Sequence, residues 1–187
     1  KMLERAMEFI KTKAAEREGN ILLVGTAPVA KNSVEAIAKL LDFPFVTERW
    51  LGGTLTNFKT LSKRITYFKK LKSDKETGRL DKYTKKERLD IDRQIQKMTK
   101  MFSGVEKMES LPAALFVVDV NEHLTAVREA RRLKIPIVGI MNTDTDPELV
   151  DYPILANDRS KASIGWILTR LENAVKEGRA AKEVKSL

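Results

Sequence analysis

Five short apolar runs that alternate with helical segments constrain the fold of this chain more than any other feature. They lie at residues 21–25, 43–46, 114–119, 135–140 and 152–155. Uninterrupted apolar runs of this length are typical of strands that are buried on both faces of a parallel sheet. Because most of the segments between them have helical periodicity, the sequence predicts an α/β fold built from right-handed βαβ units. We expect a doubly wound, five-stranded parallel sheet with helices on both faces.

Helix signals define the segments around these strands. Helices are predicted over residues 2–18, 28–41, 124–133 and 160–178. Gly19 and Gly178 are the predicted stop signals of the first and last helices. Asp146, which precedes Pro147, is the predicted cap of a short helical turn, and Asp158 is the predicted cap of the last helix.

The central segment has the pattern of a helical hairpin inserted into the sheet domain. Each arm carries a narrow apolar seam at helical spacing, formed by Phe58, Leu61, Ile65, Phe68 and Leu71 and by Ile91, Ile95, Met98 and Phe102. The turn residues Asp74, Gly78 and Asp81 lie between the seams, and residues 84–87 match the capping box that begins a helix. We predict a sheet domain over residues 1–57 and 104–187 and a basic, coiled-coil-like hairpin over residues 58–103.

The positive charge of the chain is concentrated in this central segment. The net charge is +9, and residues 59–109 alone contribute +8, from 16 Lys and Arg against 8 Asp and Glu. Residues 1–58 contribute +1, and residues 110–187 are neutral. A near-neutral body with one basic segment favours a directed contact with a polyanion, and nucleic acid is the leading candidate. The alternative is a lysine-rich helical face that only keeps the hairpin soluble.

The residue inventory excludes several classes of site. The 187 residues include no cysteine and one histidine, which excludes a disulfide framework, a Cys-based zinc site and a thiol nucleophile. No apolar run approaches the roughly 18–20 residues of a membrane span. We therefore do not expect an integral membrane protein.

The ends of the predicted strands offer an enzymatic alternative. The turn at Gly25 joins a strand to a helix, where α/β proteins bind phosphates, but the turn lacks the glycine and lysine pattern of nucleotide sites. The carboxylates of Asp119, Asp144, Asp146 and Asp158 would converge at this edge of the sheet and could hold magnesium. His123 lies beside them, and a lone histidine here is predicted to be a surface or capping residue.

Residues 48–58, with the sequence ERWLGGTLTNF, combine features of a nucleic-acid contact. Two adjacent glycines allow close approach of another surface. Arg49 and Trp50 form a pair that can stack on bases or bind phosphates. Thr54, Thr56 and Asn57 can donate to phosphate or sugar oxygens, or cap the first helix of the hairpin. The alternative is a purely structural hinge with Trp50 buried.

Three strings of this sequence resemble one known family. They are RWLGGTLTNF at residues 49–58, LPAALFVVD at residues 111–119 with AVREA at 126–130, and IPIV at residues 135–138. The third continues through Asp144, Asp146 and Pro147 to Asp158. Together they resemble the bacterial small-subunit ribosomal protein S two family, the universal uS-two family, over essentially the whole chain. Asp158-Arg159 departs from that family, which often has two consecutive acidic residues there.

The resemblance implies a flavodoxin-like sheet with strand order 2-1-3-4-5, with no cofactor, no metal and no catalytic residues. It implies a structural protein of the small ribosomal subunit that binds small-subunit ribosomal RNA. The implied protein partners are neighbouring small-subunit proteins, including the mRNA-binding ribosomal protein S one, which it helps to dock. The expected location is the bacterial cytoplasm, on the ribosome, or an organelle, with no membrane partner and no homo-oligomer.

The expected RNA contacts lie at the base of the hairpin and along both arms. The predicted RNA-binding residues are Arg49, Trp50, Thr54, Asn57, Lys59, Lys63, Arg64, Lys69, Lys70, Lys72, Lys85, Lys86 and Arg88. Two other functions remain open from the residues alone. One is a nucleotide- or phosphate-dependent enzyme that uses the strand ends around Gly25, Asp119 and Asp144. The other is a protein-only adaptor whose hairpin binds an acidic partner.

Overall fold

The computed structural model describes residues 1–16, 19–80 and 83–185. Within this part of the chain, five strands form one all-parallel sheet in the order β2-β1-β3-β4-β5. The strands are β1 (Ile21–Val24), β2 (Phe45–Val46), β3 (Ala114–Val118), β4 (Ile137–Met141) and β5 (Tyr152–Leu155). The helices are α1 (Met2–Ala15), α2 (Pro28–Leu41), α3 (Phe58–Glu76), α4 (Lys85–Phe102), α5 (Leu124–Arg132) and α6 (Lys161–Lys185). The predicted doubly wound α/β fold and its strand order are confirmed.

Alternate residues of the central strands enter two separate apolar clusters, one on each face of the sheet. On β1, Ile21 and Leu23 belong to the first cluster and Leu22 and Val24 to the second. Every residue of this strand is fully buried, because helices cover both faces. The first face packs against α1, α2 and α6, and the second against α5 and the hairpin helices α3 and α4. This arrangement explains why the strands are continuous apolar runs rather than alternating ones.

The last helix continues past the glycine that was predicted to end it. α6 runs to Lys185, and Gly178 lies buried inside it. A Cβ atom at position 178 would lie 2.3 Å from the carbonyl oxygen of Lys11 in α1. The glycine therefore permits close packing of α6 on α1, and the predicted stop signal at this position is wrong.

The hairpin packs into the second core cluster of the sheet, in addition to the contact between its own two apolar seams. Leu61, Ile65 and Phe68 of α3 are buried in the same cluster as the sheet residues of that face. Phe68 also packs on Phe102 of α4, with ring centroids 6.3 Å apart. The division into a sheet domain and an inserted hairpin remains a prediction, although the apolar seams do meet as expected.

Both ends of the hairpin have specific anchors. At the start of α4, Thr84 and Glu87 form the predicted capping box, in which the Thr84 N–H donates to the Glu87 carboxylate at 2.9 Å. At the return to the sheet, the Phe45 N–H donates to the carbonyl oxygen of Gly104 at 2.9 Å. A Cβ at position 104 would lie 2.2 Å from the Phe45 carbonyl oxygen, so the chain passes β2 at a distance that only glycine allows.

Some boundaries differ from the sequence-based expectation. The second strand begins at Phe45 rather than at residue 43, and the fourth covers residues 137–141 rather than 135–140. Prolines precede both strands, at positions 44 and 136, and proline has no N–H to donate to a strand ladder. The predicted end of the first helix at Glu18 and the predicted turn residue Asp81 lie outside the described residues.

Candidate nucleic-acid interface

One buried carboxylate fixes the path of the loop between β2 and α3. Glu129 of α5 lies beneath this loop and is only 8% exposed. Its Oε1 accepts hydrogen bonds from the Trp50 ring N–H at 3.0 Å and from the Gly53 N–H at 2.8 Å. Its Oε2 accepts from the Leu55 N–H at 3.0 Å and from the Thr56 N–H and hydroxyl, both at 3.1 Å. Five donors from one loop thus converge on a single side chain.

These donors keep Glu129 ionised in spite of its burial. Burial alone raises the pKa of Glu129, because removing water disfavours the charged form. The hydrogen bonds from Trp50 and from the N–H groups of Thr56, Gly53 and Leu55 outweigh that effect and hold the pKa below its ordinary value. The loop therefore closes around an anion at neutral pH.

The two adjacent glycines of the loop have different roles. Gly53 has φ of 87°, a left-handed conformation that favours glycine. Gly52 has no positive φ and is exposed, and a Cβ there would meet no atom within 4 Å. Neither conformation nor internal packing requires glycine at position 52, so its missing side chain only matters to a molecule that approaches from outside.

The loop residues predicted to bind RNA are not equally accessible. Arg49 is exposed, and no described side chain binds its guanidinium. Trp50 is half-buried with its N–H bound to Glu129. Thr54 is buried, and its hydroxyl donates to the Leu51 carbonyl oxygen at 2.6 Å. Asn57 is exposed at the N-cap position of α3 but makes no side-chain capping bond, so its predicted alternative role as a cap is wrong.

The predicted cations of the first arm are available to a partner, with one exception. Lys59, Lys63, Arg64, Lys69 and Lys70 are all exposed. Lys72 is half-buried, pairs with Glu106 at 3.2 Å and lies 5.1 Å from the ring centroid of Phe68. The arm therefore presents several unpaired cations beside one that is held in place.

The cations predicted on the second arm lie at the far end of the hairpin. The Lys75–Asp92 ion pair, at 2.9 Å, and the Phe68–Phe102 contact fix an antiparallel register between α3 and α4. The exposed residues Lys85, Lys86 and Arg88 begin α4, so they lie beyond this ion pair rather than opposite the first-arm cations. Among the second-arm cations, Lys97 lines a groove with Thr60, Lys63 and Arg64 of the first arm, and it is not one of the predicted contacts.

Glu129 is the other residue that sequence reasoning missed. It occupies a buried position between Val127 and Ala130 on a short helix that otherwise buries apolar side chains. A buried acid on such a face needs donors, and the glycine-rich loop is where they come from. The signal was an acidic residue on the apolar face of a predicted helix.

At the strand ends, the single histidine is buried rather than exposed, and it occupies the N-cap position of α5 without making a side-chain capping bond. His123 is 3% exposed. Its Nδ1 lies 2.8 Å from the Asp119 carbonyl oxygen, so Nδ1 carries the proton and donates it. Its Nε2 accepts from the Thr26 N–H at 3.3 Å and lies 3.0 Å from the Thr26 hydroxyl. The N–H that a phosphate would use at the β1–α2 turn is thus already bound.

The strand-end aspartates divide into caps and a buried carboxyl. Asp146 accepts from the Glu148 N–H at 2.9 Å, which confirms it as a cap. Asp158 is wrongly predicted as one, because Ser160 instead accepts from the Ser163 N–H at the start of α6. Asp158 is 4% exposed, and its Oδ1 has no partner among the described residues.

Burial raises the pKa of Asp158, and the negative charges of Asp119 and Asp144 raise it further. In the part of the chain that the structure describes, no group of three or more His, Cys, Asp or Glu side chains is arranged to hold a metal ion. No helix among these residues is both long and apolar enough to cross a bilayer.

Comparisons with known proteins agree with the resemblance noted from the sequence. The family described as "Ribosomal protein S2" matches residues 1–178. The chain is 42% identical to "Small ribosomal subunit protein uS2" of Bifidobacterium adolescentis, over 99% of this chain and 69% of that protein. It is 41% identical to the proteins of the same name from Nocardia farcinica and Dictyoglomus turgidum, over 96% and 97% of this chain.

The relatives are longer than this chain. The match covers 63% of the Nocardia farcinica protein and 73% of the Dictyoglomus turgidum protein. The match covers almost all of this chain, so it spans the loop, the hairpin and the sheet. The chain therefore belongs to the ribosomal protein S2 family, whose matched relatives are named as small ribosomal subunit proteins.

Proposed function

We propose that this chain is an RNA-binding structural constituent of the small ribosomal subunit and acts in translation without catalysis. Membership of the family supports the assignment to the ribosome. The charge distribution on the hairpin supports RNA as the molecule that it contacts. The first line rests on sequence similarity, and the second rests on the charge and exposure of the hairpin residues.

The observation that carries the RNA contact is a run of exposed cations on both arms, at residues 59–73 and 93–105, in which only Lys72, with Glu106, and Arg93, with Asp90, pair with an acid among the described residues. We define these two ranges as the basic half of the hairpin. It contains six Lys or Arg residues on the first arm and three on the second, and no Asp or Glu. All of these cations except Lys72 are exposed. Such a density of one charge raises the potential of the surface and attracts a polyanion.

The loop held by Glu129 adds shape to this charged surface. It begins the first arm directly, since Asn57 is the N-cap residue of α3. Arg49 and Asn57 are exposed on it, and the bare position at Gly52 allows a sugar–phosphate backbone to approach. We infer that the loop fixes the register of the RNA and that the cations supply most of the affinity.

A charge-reversal experiment tests this proposal. We expect the combined change Lys63→Glu, Arg64→Glu and Lys70→Glu to weaken binding to small-subunit ribosomal RNA steeply. The plot of log K against log salt should become flatter by about 2–3, because each lost phosphate contact removes about 0.7–0.9 from the slope. The measurement is filter binding at a series of salt concentrations.

The matched control reverses three exposed cations of the charge-balanced body. Arg5, Arg132 and Lys161 are exposed, and no described residue pairs with their side chains. Their change to Glu gives the same net charge as the hairpin variant. If the control weakens binding as much as the hairpin variant, general charge rather than the hairpin governs the contact, and the proposal is refuted.

Assembly with the ribosome is the second part of the proposal. We propose that the chain resides on the small subunit in the bacterial cytoplasm, contacts neighbouring small-subunit proteins and helps to dock the mRNA-binding ribosomal protein S one. The support for these partners is the family resemblance. Sedimentation of a lysate should find the chain with small subunits at low salt and release it with nuclease. A protein-only adaptor would instead keep its partner after nuclease treatment.

The strand ends give little support to an enzyme. His123 occupies the turn where a phosphate would bind, and no described donor pairs with the Asp158 Oδ1. We therefore propose that the edge is structural. A rise of several degrees in melting temperature with nucleotide and magnesium would contradict this and revive the enzymatic alternative.

A further inference from the structure

A groove between the two arms of the hairpin combines a flat ring with cations from both sides. Tyr67 of α3 lines it and is 48% exposed. Met98 and Phe102 of α4 form its apolar floor, and both are almost fully buried. The volume of the groove is about 430 Å³, which lies in the range of sites for small organic groups.

The polar rim of this groove is entirely cationic or neutral. Lys63 and Arg64 come from the first arm and Lys97 from the second, and none of them pairs with an acid among the described residues. Gln94 supplies an amide, which can donate and accept hydrogen bonds. An exposed tyrosine ring surrounded by three unpaired cations suits an occupant that joins a flat apolar ring to negative charge.

The groove is continuous with the loop at the base of the hairpin. Thr60 and Arg64 line both this groove and a smaller cavity of about 130 Å³ beside the loop. Gly52 and Asn57 line that smaller cavity. Because Arg64 lines both cavities, one strand of nucleic acid could contact the loop at Gly52 and Tyr67 in the groove at the same time.

We propose that the groove between α3 and α4 binds one unpaired nucleobase of the RNA, stacked on Tyr67, with Lys63, Arg64 and Lys97 on the flanking phosphates. Nucleotides are the units that join a flat ring to an anion, and sequence-specific RNA contacts use unpaired bases stacked on aromatic side chains. The site rests on the proposed RNA-binding function. It adds Tyr67 and Gln94 to the contacts, together with a stacking interaction that charge alone does not supply.

The experiment separates stacking from charge by the salt dependence of binding. The probe is full-length small-subunit ribosomal RNA, and the variants are Tyr67→Ala, Tyr67→Phe and Lys97→Gln. We expect Tyr67→Ala to weaken binding about 5- to 150-fold with no change in the salt slope, because the loss of one stacked base is independent of counterions. Tyr67→Phe keeps the ring and should bind within about twofold of the unchanged protein. Lys97→Gln should flatten the slope by about 0.7–0.9.

Leu89→Ala is the matched control, since Leu89 is 51% exposed on α4 and lines none of the described cavities. Circular dichroism confirms that each variant folds. If Tyr67→Ala binds RNA as tightly as the unchanged protein, the nucleobase site is refuted while the proposed function stands, and the groove is left to a protein neighbour. Equal losses for Tyr67→Ala and Tyr67→Phe would indicate a hydroxyl contact and would also refute stacking. An unchanged protein without salt-dependent RNA binding would refute both proposals.

Discussion

Replacing Glu129 by glutamine is the sharpest test of how the loop is held. The substitution keeps the size of the side chain but removes its charge and turns one acceptor oxygen into an NH₂ donor. If the remaining oxygen stays with Trp50 and Gly53, the new NH₂ group faces the N–H groups of Leu55 and Thr56, which now bind Oε2 at 3.0 and 3.1 Å. Two donors then point at a donor.

The expected loss follows from these contacts. Leu55 is 2% exposed, so its N–H has no access to water, and an unsatisfied buried donor costs about 1–3 kcal/mol. Thr56 is exposed and can recover a water partner. The remaining bonds lose the extra strength that an ionised acceptor gives, which adds about 1 kcal/mol. We expect Glu129→Gln to lower the free energy of unfolding by about 2–4 kcal/mol at pH 7.

The pH dependence supplies an internal check. The pKa of Glu129 is lower in the folded protein than its ordinary value of 4.5. Its stabilisation is therefore complete above that ordinary value and is lost as the pH falls through the folded pKa. The difference between the two proteins should be constant from pH 7 to about 5 and should shrink below the ordinary value.

Urea unfolding with a constant m-value measures this difference. Glu122→Gln is the control, because the exposed Glu122 side chain makes no described contact. A Glu129→Gln protein within about 0.5 kcal/mol of the unchanged one at pH 7 would refute the reasoning, since surface substitutions fall in that range. A difference that persists unchanged at acidic pH would show that the charge of Glu129 is not the cause of the loss.

Five further substitutions, at three places in the structure, are tested by the midpoint of thermal or urea unfolding. Gly178→Ala should lower stability, because its Cβ would lie 2.3 Å from a backbone oxygen of α1. Gly165→Ala in the same helix is the control: its Cβ would meet no atom within 4 Å, so it should stabilise the protein by about 0.5–1 kcal/mol. Gly53→Ala should destabilise because of its φ of 87°, whereas Gly52→Ala should leave stability unchanged and weaken only RNA binding. The pKa of Asp158 is raised in the folded protein, so ionising this carboxyl lowers the free energy of unfolding. The loss is absent below the ordinary pKa and grows as the pH rises through the folded pKa. Asp158→Asn removes it and should raise stability at pH 7. An Asp158→Asn protein that is less stable at pH 7 would contradict this.

The strands could be predicted because their signal is local. A parallel strand covered on both faces must be apolar at every position, so the pattern of β1 and β3 is visible without knowing their partners. The capping box at Thr84 is equally local, since its two partners are three residues apart. The strand order came from the family resemblance, because no local pattern specifies which strand lies beside which.

Features that depend on contacts distant in the sequence were missed or misassigned. Gly178 looked like a helix stop, although its role is set by Lys11, which is 167 positions earlier in the numbering. His123 looked like a surface residue, although Thr26 binds its ring across the sheet. In each case the residue type was noticed, but its partner could not be identified from spacing.

Some parts of the candidate site are also visible in the sequence, and others depend on distant contacts. The glycine-rich loop and the cations of the first arm are conspicuous in the sequence. Glu129 is not, because it lies more than 70 residues from every loop atom that it binds. The position of the second-arm cations along the hairpin was hidden for a similar reason: the register between the arms depends on contacts such as Lys75–Asp92 and Phe68–Phe102, which no composition count reveals.

Different residues set the shape and the charge of the proposed interface: Glu129 holds the loop, and the exposed cations of the hairpin supply the charge. The loop turns its polar hydrogens inward onto one carboxylate, while the cations of the hairpin point outward and most of them have no partner within the described chain. Charge reversal at Lys63, Arg64 and Lys70 should therefore change RNA affinity but not the free energy of unfolding, whereas Glu129→Gln should change both. Combined in one protein, the two sets should add in stability, because none of the three cations shares a hydrogen-bond or ion-pair partner with Glu129 among the described residues. Non-additive stabilities would mean that the surface cations also hold the loop, and that shape and charge are not separable here.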